Sequence, residues 1–375
     1  MRADFNVPLR DGTVEDDLRI ATVLDTVRWL REHHAAVVAC GHLGRPKGKP
    51  DPQFSMAPVA ERLGVLLGTQ VPLAPATIVG PKVHPLAATL APGEVLMLEN
   101  LRFHPGETDN DPAFAVNLSE LGDVYVNEAF GASHRAHASI VGPPRVLPSA
   151  GGRLLFREVE VLSQLLTEPA HPSVAVLGGA KVSDKLGVID ALLDRCDTIL
   201  VGGAMAFTFL VARGGDVGDS LVEPDMVGEC KRLLETDRVR IPVDVVIAQD
   251  VTDDAETRIV SAGAIPAGWK GLDIGPETAA IFADEIGAAA TVLWNGPMGV
   301  FEVAPFAAGT HTVAEAVADA GAFTVVGGGD SAAAVRQMGV ADQIGHVSTG
   351  GGATLEFIER GDLPGLAALR EGRKR

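Results

Sequence analysis

The sequence predicts an α/β protein built as two doubly wound parallel-sheet domains, and three observations carry that prediction. Short β-branched runs alternate with amphipathic segments along nearly the whole chain, which is the pattern of parallel sheets covered by helices. The runs are continuously apolar rather than alternating, as strands buried on both faces must be. Nine such runs in 375 residues also exceed one ordinary sheet, so two domains are expected.

Taken in order, a short strand leads into Asp4-Phe5-Asn6. Residues 18–32 read as one amphipathic helix, because Ile20, Val23, Leu24, Val27 and Leu30 keep a 3.6-residue spacing. Asp16 and Asp17 stand where N-caps and dipole partners are favoured. Buried parallel strands are expected at 35–40, 95–98 and 124–127. Glycine and proline cluster at 141–152 and mark a boundary; a helical pattern over 153–167, stopped by Pro169, reads as the connector. Further buried parallel strands are expected at 174–177, 198–201, 243–247, 291–294, 323–326 and 346–348. The basic tail from Arg370 to Arg375 reads as a solvated end.

Composition narrows the function classes. Hydrophobic residues make up 46% and charged residues 21%, ordinary for a large-cored globular chain. A net charge of −18, with one tyrosine and three tryptophans, argues against nucleic acid, which needs positive charge and aromatic stacking. The charge is uneven: residues 1–150 carry −4 and the remainder −14, while seven of ten histidines fall in the first 150. An acidic chain that gathers arginine and histidine in one half is expected to bind a small anion there. Cys40, Cys196 and Cys230 are far apart and form no disulfide framework, which points to a reducing compartment. No signal peptide is read, and charge-free stretches such as 198–212 are too short and glycine-rich to span a bilayer. A cytoplasmic monomer is expected.

Ligands of open parallel sheets bind beyond the carboxyl ends of the strands. In the first half those ends carry Gly41-His42-Leu43-Gly44-Arg45-Pro46-Lys47, Glu99-Asn100-Leu101-Arg102-Phe103-His104, and Ser133-His134-Arg135-Ala136-His137. One such loop is ordinary surface polarity, but three at equivalent strand ends mark an anion site, since arginine forks suit phosphate and carboxylate. Zinc is disfavoured, because Cys40 is the one nearby thiol and the histidines lack His-Glu-x-x-His spacing. Arg19, at a helix start facing the same sheet end, is either a surface arginine or part of that site.

The second half is marked by Gly178-Gly179-Ala180-Lys181-Val182-Ser183-Asp184-Lys185, between a strand-like run and a helix-like run. Glycines let backbone amides approach a ligand, helix N-termini attract anions, and lysines at i and i+4 share one helical face. The segment therefore reads as a polyphosphate site, though not a Walker A loop, against the plainer reading of a turn with two solvated lysines. Glycine turns recur at Gly202-Gly203, Asn295-Gly296-Pro297, Gly327-Gly328-Gly329-Asp330-Ser331 and Gly350-Gly351-Gly352. Asp330 suits Mg²⁺, or simply a helix N-cap. Gly327-Gly328-Gly329-Asp330-Ser331-Ala332 also fits a dinucleotide fingerprint, but the acid expected at the end of the next strand is missing.

Together these motifs, with Asp4-Phe5-Asn6-Val7-Pro8 and the run from Trp294 to Glu302, resemble the signatures of the phosphoglycerate kinase family, in the family's order and over almost the whole chain. The resemblance implies two Rossmann-like domains with a hinge helix. The divisions are a 3-phosphoglycerate domain at 1–152 with a returning segment at 358–375, a connecting helix at 153–169, and a nucleotide domain at 170–357. It implies reversible, Mg²⁺-dependent phosphoryl transfer between 1,3-bisphosphoglycerate and ADP, with domain closure. By the resemblance, Asp4, Phe5, Asn6, Arg19, His42, Leu43, Gly44, Arg45, Arg102 and Arg135 bind 3-phosphoglycerate. Lys181, Lys185, Gly203, Gly271, Leu272, Asn295, Pro297, Val300, Glu302, Gly328, Gly329, Asp330 and Ser331 serve ADP or ATP. Asp330 holds the metal, and Arg19, Lys181 and Lys185 stabilise the transferring group. The alternatives are a catalytically inactive nucleotide-binding protein of the same fold and an NAD-dependent oxidoreductase. One departure from the family pattern bears on the first strand and the stability of the first domain: Met1-Arg2-Ala3 stands where the family has a longer lead-in strand. Three others are mild, with Ala204 replacing a usual glycine, Glu128 a usual aspartate and Gly41 a usual serine.

Overall fold

The computed structural model describes residues 1–372; the tail residues 373–375 lie outside the described residues. The chain divides into two units, one of Met1–Glu160 with the segment from Asp362 onward, the other of Val161–Gly361.

In the second unit the apolar runs pair as one parallel sheet of six strands. Its spatial order is Val239–Arg240, Thr198–Val201, Ser173–Leu177, Thr291–Asn295, Phe323–Gly327 and His346–Val347. The reversal of chain order beside Ser173–Leu177 is a doubly wound arrangement. Strand Thr291–Asn295 is buried at every position and sits at the centre, where Trp294, Val292 and Val176 pack with Phe282 and Ile286 of helix Pro276–Gly287. Register matters most for function. Leu177, Asn295 and Gly327 are direct neighbours across three strands, so Gly178, Gly296 and Gly328 emerge abreast at one sheet edge.

The run read at 243–247 is a correction. Strand Asp244–Ala248 is antiparallel to both Arg258–Ser261 and Lys270–Ile274, in a separate three-stranded sheet. Antiparallel neighbours need only short connections, whereas a parallel return needs a crossover of a dozen residues or more. The nine residues between Ala248 and Arg258 hold no helix to make one.

The first unit has shorter strands. Arg2–Ala3, Tyr125–Glu128 and Ser149–Gly151 pair in parallel, as do Val37–Ala39 and Val95–Met97. A single bridge between Arg2 and Cys40 joins the two sets. Strand Ser149–Gly151 lies inside the stretch read as a boundary. The helix expected over 18–32 is two helices, Leu18–Ala21 and Leu24–Glu32, broken at Thr22 and Val23. The adjacent β-branched pair is stiff in a helix. The turn instead puts Val23 fully into the core with Phe5, Ile20, Val27 and Leu63. Asp16 does accept the amide of Leu18, at 2.9 Å.

Helix Arg153–Thr167 starts on Glu128, whose buried carboxylate accepts the amides of Leu154 and Leu155 at 3.1 and 3.3 Å and the hydroxyl of Thr26. The last helix, Pro364–Gly372, returns to the first unit: Gly365 N–H donates to Ser133 O at 2.9 Å, and Ala368 packs with Ala129, Ala132, Ile140 and Val141. Arg370 pairs with Asp362. No helix among the described residues is long and apolar enough to cross a membrane.

Candidate active site

Parallel pairing in the first unit carries Asp4, Gly41-His42, Glu99-Asn100 and Ala129 to one edge, because each directly follows a paired strand end or the residue after it. Asn100 fixes the loops to one another. Its side-chain amide donates to Leu43 O at 2.6 Å and Phe54 O at 2.9 Å, and its carbonyl accepts the Arg102 amide at 3.1 Å. Arg102 Nη1 donates to Gly44 O at 2.7 Å, while its Nε is buried with no partner. Asn6 accepts the Gly44 amide at 2.8 Å. Leu43 is buried among core residues, and so is Phe5. Arg45, Arg102 and Arg135 line one cavity of about 540 Å³ together with Lys47. Arg45 and Arg135 are exposed, and Arg135 Nε donates to His134 Nε2 at 3.0 Å.

This cavity is electrostatically strained by its own cations. Burial, then Arg135 and Arg2, pull the Arg102 pKa down to about 10, with Glu107 opposing. Burial, then Arg2 and Arg102, hold His42 well below the usual histidine range. Burial and the same arginines, Arg102 foremost, bring His137 to about 4. The histidines are therefore neutral at pH 7, and arginine carries the charge that an anion would neutralise.

Arg19 is already engaged. Its Nη1 lies 3.1 Å from Asp4 Oδ2 and donates to Asn6 O at 3.2 Å. Asp4 also accepts the Asn6 amide at 3.3 Å, so its carboxylate orients Arg19 and the turn. Arg2 was missed in the sequence reading. It is fully buried, donates from Nε to Ser139 Oγ at 3.1 Å, and lies with Nη2 3.0 Å from His42 Nδ1. Ser139 in turn donates to Glu107 at 2.6 Å, which makes Glu107 the buried counter-charge. The one available signal was an arginine inside an otherwise apolar strand.

In the second unit, residues that closely follow the glycine edge, among them Gly179, Pro297 and Asp330, open on a cavity of about 430 Å³. Gly179, Gly203, Gly271, Leu272, Pro297, Val300, Glu302 and Asp330 line it. Val300 N–H donates to Leu272 O at 2.9 Å, closing one wall. Gly178 is obligatory here, since a Cβ would stand 2.0 Å from Pro297 O. Asp273, unremarked in the sequence, forms part of the wall; it accepts the amides of Ile274 at 2.9 Å and Gly309 at 2.7 Å. Burial pushes its pKa up to about 7 against those two bonds.

Two expectations change. Residues 181–185 form a turn, and the helix begins at Leu186, so the lysines do not share a helical face. Lys181 is exposed, whereas Lys185 is buried, with Nζ 2.9 Å from Asn295 O and bonded to Asn295 Oδ1. Burial brings Lys185 down to about 8, with Asp330 and Asp184 resisting. The second change is Ser331. Its buried hydroxyl donates to Gly327 O at 2.8 Å and accepts the Gly296 amide at 2.9 Å, so it ties two strand ends together instead of standing free. Asn295 Nδ2, by contrast, is buried and unpartnered beside Gly327 and Gly328. Gly328 caps helix Gly329–Gln337, whose first turn carries the exposed Asp330.

The family profile described as Phosphoglycerate kinase matches residues 1–361. The phosphoglycerate kinase of Rubrobacter xylanophilus is 55% identical over 373 residues, covering 99% of this chain and 95% of that protein. That of Salinispora arenicola is 56% identical over 378 residues, covering 98% and 94%. Among solved structures, phosphoglycerate kinase from Coxiella burnetii matches with a TM-score of 0.88 at 38% identity, covering 99% of this chain and 95% of that one. The enzyme from Pyrococcus horikoshii matches with a TM-score of 0.87 at 34% identity, covering 100% and 96%. The arginine loops and the in-register glycine edge thus occur within a full-length match, and the chain belongs to the phosphoglycerate kinase family.

Proposed function

We propose that this chain is a phosphoglycerate kinase that moves a phosphoryl group reversibly between 1,3-bisphosphoglycerate and ADP, giving 3-phosphoglycerate and ATP. The observation that carries the reading is a cavity of about 430 Å³ lined by Gly179, Pro297 and Asp330, which closely follow the in-register Gly178, Gly296 and Gly328, with Lys185 bonded to Asn295 at that sheet edge. It offers backbone approach and one buried cation, which is what a polyphosphate needs.

In the proposed assignment Arg45, Arg102, Arg135 and His42 hold the phosphate of 3-phosphoglycerate, with Arg102 Nε as an unspent buried donor. Asn6, Leu43 and Gly44 shape that cavity, and Asp4 orients Arg19. Gly203, Gly271, Leu272, Pro297, Val300 and Glu302 enclose base and ribose. Gly328, Gly329 and Ser331 present the helix start to the phosphates, Ser331 through its backbone. In the ATP-forming direction the acyl phosphate passes to ADP. In reverse the nucleophile is a carboxylate, ionised at neutral pH, so no side-chain base is required. Arg19, Lys181 and Lys185 then stabilise the transferring charge.

The residues present fit Mg²⁺. Among the described residues no group of three or more His, Cys, Asp and Glu side chains converges, and the one exposed acid at the helix start is Asp330. A cation that keeps water and takes its remaining ligands from phosphates needs no more protein ligands than that. When bound it would neutralise charge on the nucleotide phosphates.

A coupled assay of ATP-dependent phosphorylation of 3-phosphoglycerate tests the reading. Turnover is expected. ADP binding without turnover would make the chain an inactive relative, and NAD binding in preference to ADP would replace the reading altogether.

A further inference from the structure

The amides expected to receive a phosphate at the lysine turn are occupied. Val182 N–H donates to Glu223 Oε2 at 2.6 Å, Ser183 N–H to the same oxygen at 3.2 Å, and Ser183 Oγ to Glu223 Oε1 at 2.5 Å. Glu223 follows the segment that carries Asp219 and Leu221, two wall residues of the nucleotide cavity. Its own amide is held at 3.1 Å by the hydroxyl of Thr208, buried in helix Met205–Ala212. We infer that Glu223 is a positioning residue for phosphoryl transfer, acting as a three-point clasp that sets where the 181–185 turn presents Lys181.

The inference rests on the proposed nucleotide site. Residues 181–185 have no helix of their own to hold them, and Val182 is their one buried apolar anchor. Lys185 is also held by Asn295, so a turn fixed at Val182 alone leaves the exposed Lys181 free to rotate. A carboxylate that accepts three donors removes that freedom, and charge-assisted bonds to two consecutive amides and a hydroxyl are strong and directional. The Ser183 and Val182 bonds, with Lys181 nearby, hold the Glu223 carboxyl below the ordinary carboxylate range despite its desolvation, so the clasp stays ionised at neutral pH. Because Glu223 occupies these amides, phosphates fall to the other helix starts, and the turn contributes its lysines alone. A misplacement on the order of 1 Å at such a cation is costly in rate.

The test compares Glu223→Gln, Glu223→Asp and Ser183→Ala in the full chain. Glutamine keeps the length but turns one acceptor into a donor facing a donor. Glu223→Gln is expected to lower kcat by about tenfold, with KM for 3-phosphoglycerate within about twofold. Ser183→Ala, which loses one bond of three, is expected to cost a few-fold. The decisive comparison is with Lys181→Ala. If Glu223 acts through the turn, its replacement costs less than about twofold once Lys181 is gone, because the two changes share one effect. An equal cost in both backgrounds would make Glu223 a stability residue and overturn the inference, as would unchanged kcat in Glu223→Gln. A second reading is independent of activity: amide exchange at Val182 and Ser183 should quicken at least tenfold in Glu223→Gln and partly recover in Glu223→Asp. Unchanged exchange there would refute the clasp. If the wild-type chain shows no transfer activity, the functional reading falls, and the exchange measurement still decides whether Glu223 sets the turn.

Discussion

The two candidate anion sites solve one problem with different chemistry. In the first unit the site is made of side chains: Arg45, Arg102 and Arg135 around a cavity, with Arg2 buried behind and Glu107 as the buried acid. In the second it is made largely of backbone: three glycines in register, helix starts, and one buried lysine. Burial first, and then the neighbouring arginines, lower the pKa values of Arg102 and His137, so an anion that arrives relieves the repulsive part. The glycine site has Asp219, Asp273, Glu302 and Asp330 along its cavity and one buried lysine beside it, and depends on the closeness of backbone amides instead. Side-chain sites should therefore fail in affinity when changed, and backbone sites in geometry.

The largest expected effect is at the one buried cation of the glycine site. Lys185→Met should lower kcat by on the order of a hundredfold, with a modest change in KM, since its contribution is charge stabilisation in transfer. A steady-state comparison checks this; a pure KM effect would reassign Lys185 to binding. Arg102→Ala should weaken 3-phosphoglycerate by roughly 1.5–3 kcal/mol and leave ATP nearly unchanged. The same variant should raise the pKa values of His42 and His137, measurable by NMR, because it removes one of the charges lowering them. Equal weakening of both substrates would erase the contrast between the sites.

Gly178→Ala should lose about 1–3 kcal/mol of stability together with nucleotide affinity, because its Cβ would meet the Pro297 carbonyl at 2.0 Å. Arg45→Ala, on an exposed side chain, should leave the denaturation midpoint unmoved. The pH dependence is smaller. Lys185 is about 8 in the fold against an ordinary value of 10.5, so between those limits the unfolded chain binds more protons and stability rises with pH. Activity moves oppositely, since the ammonium is lost as pH climbs past about 8 in the free enzyme. Lys185→Met should abolish the stability rise. The smallest effect separates the units themselves: strands of two to four residues in the first unit should exchange their amides before the six-stranded sheet of the second does. Uniform protection would show that side-chain packing compensates for short ladders.

Much of the fold could be read from local pattern. The runs at 174–177, 198–201, 291–294, 323–326 and 346–348 lie in parallel strands, and the glycines stand just past their ends. Strand Asp244–Ala248 misled because an apolar β-branched run looks alike in a parallel or an antiparallel pairing. The break at Thr22 was hidden for a related reason: the spacing of Ile20, Val23 and Val27 suits a bent helix pair as well as a straight one.

What the sequence determined by itself was the succession of elements, the family, and which loops carry cations or glycines. Each of these is written in neighbouring residues or in motifs of a few positions. Which donors remain free was decided only by folding, because the partner of each group lies far along the chain. Glu223, 41 positions from Val182, takes the amides that a local reading gave to phosphate. Asn295, 110 positions from Lys185, draws that lysine inside and parts it from Lys181. Asp4 claims Arg19, and Gly296 claims the hydroxyl of Ser331. A buried polar group must find a partner, and the register of the sheets decides which one is within reach.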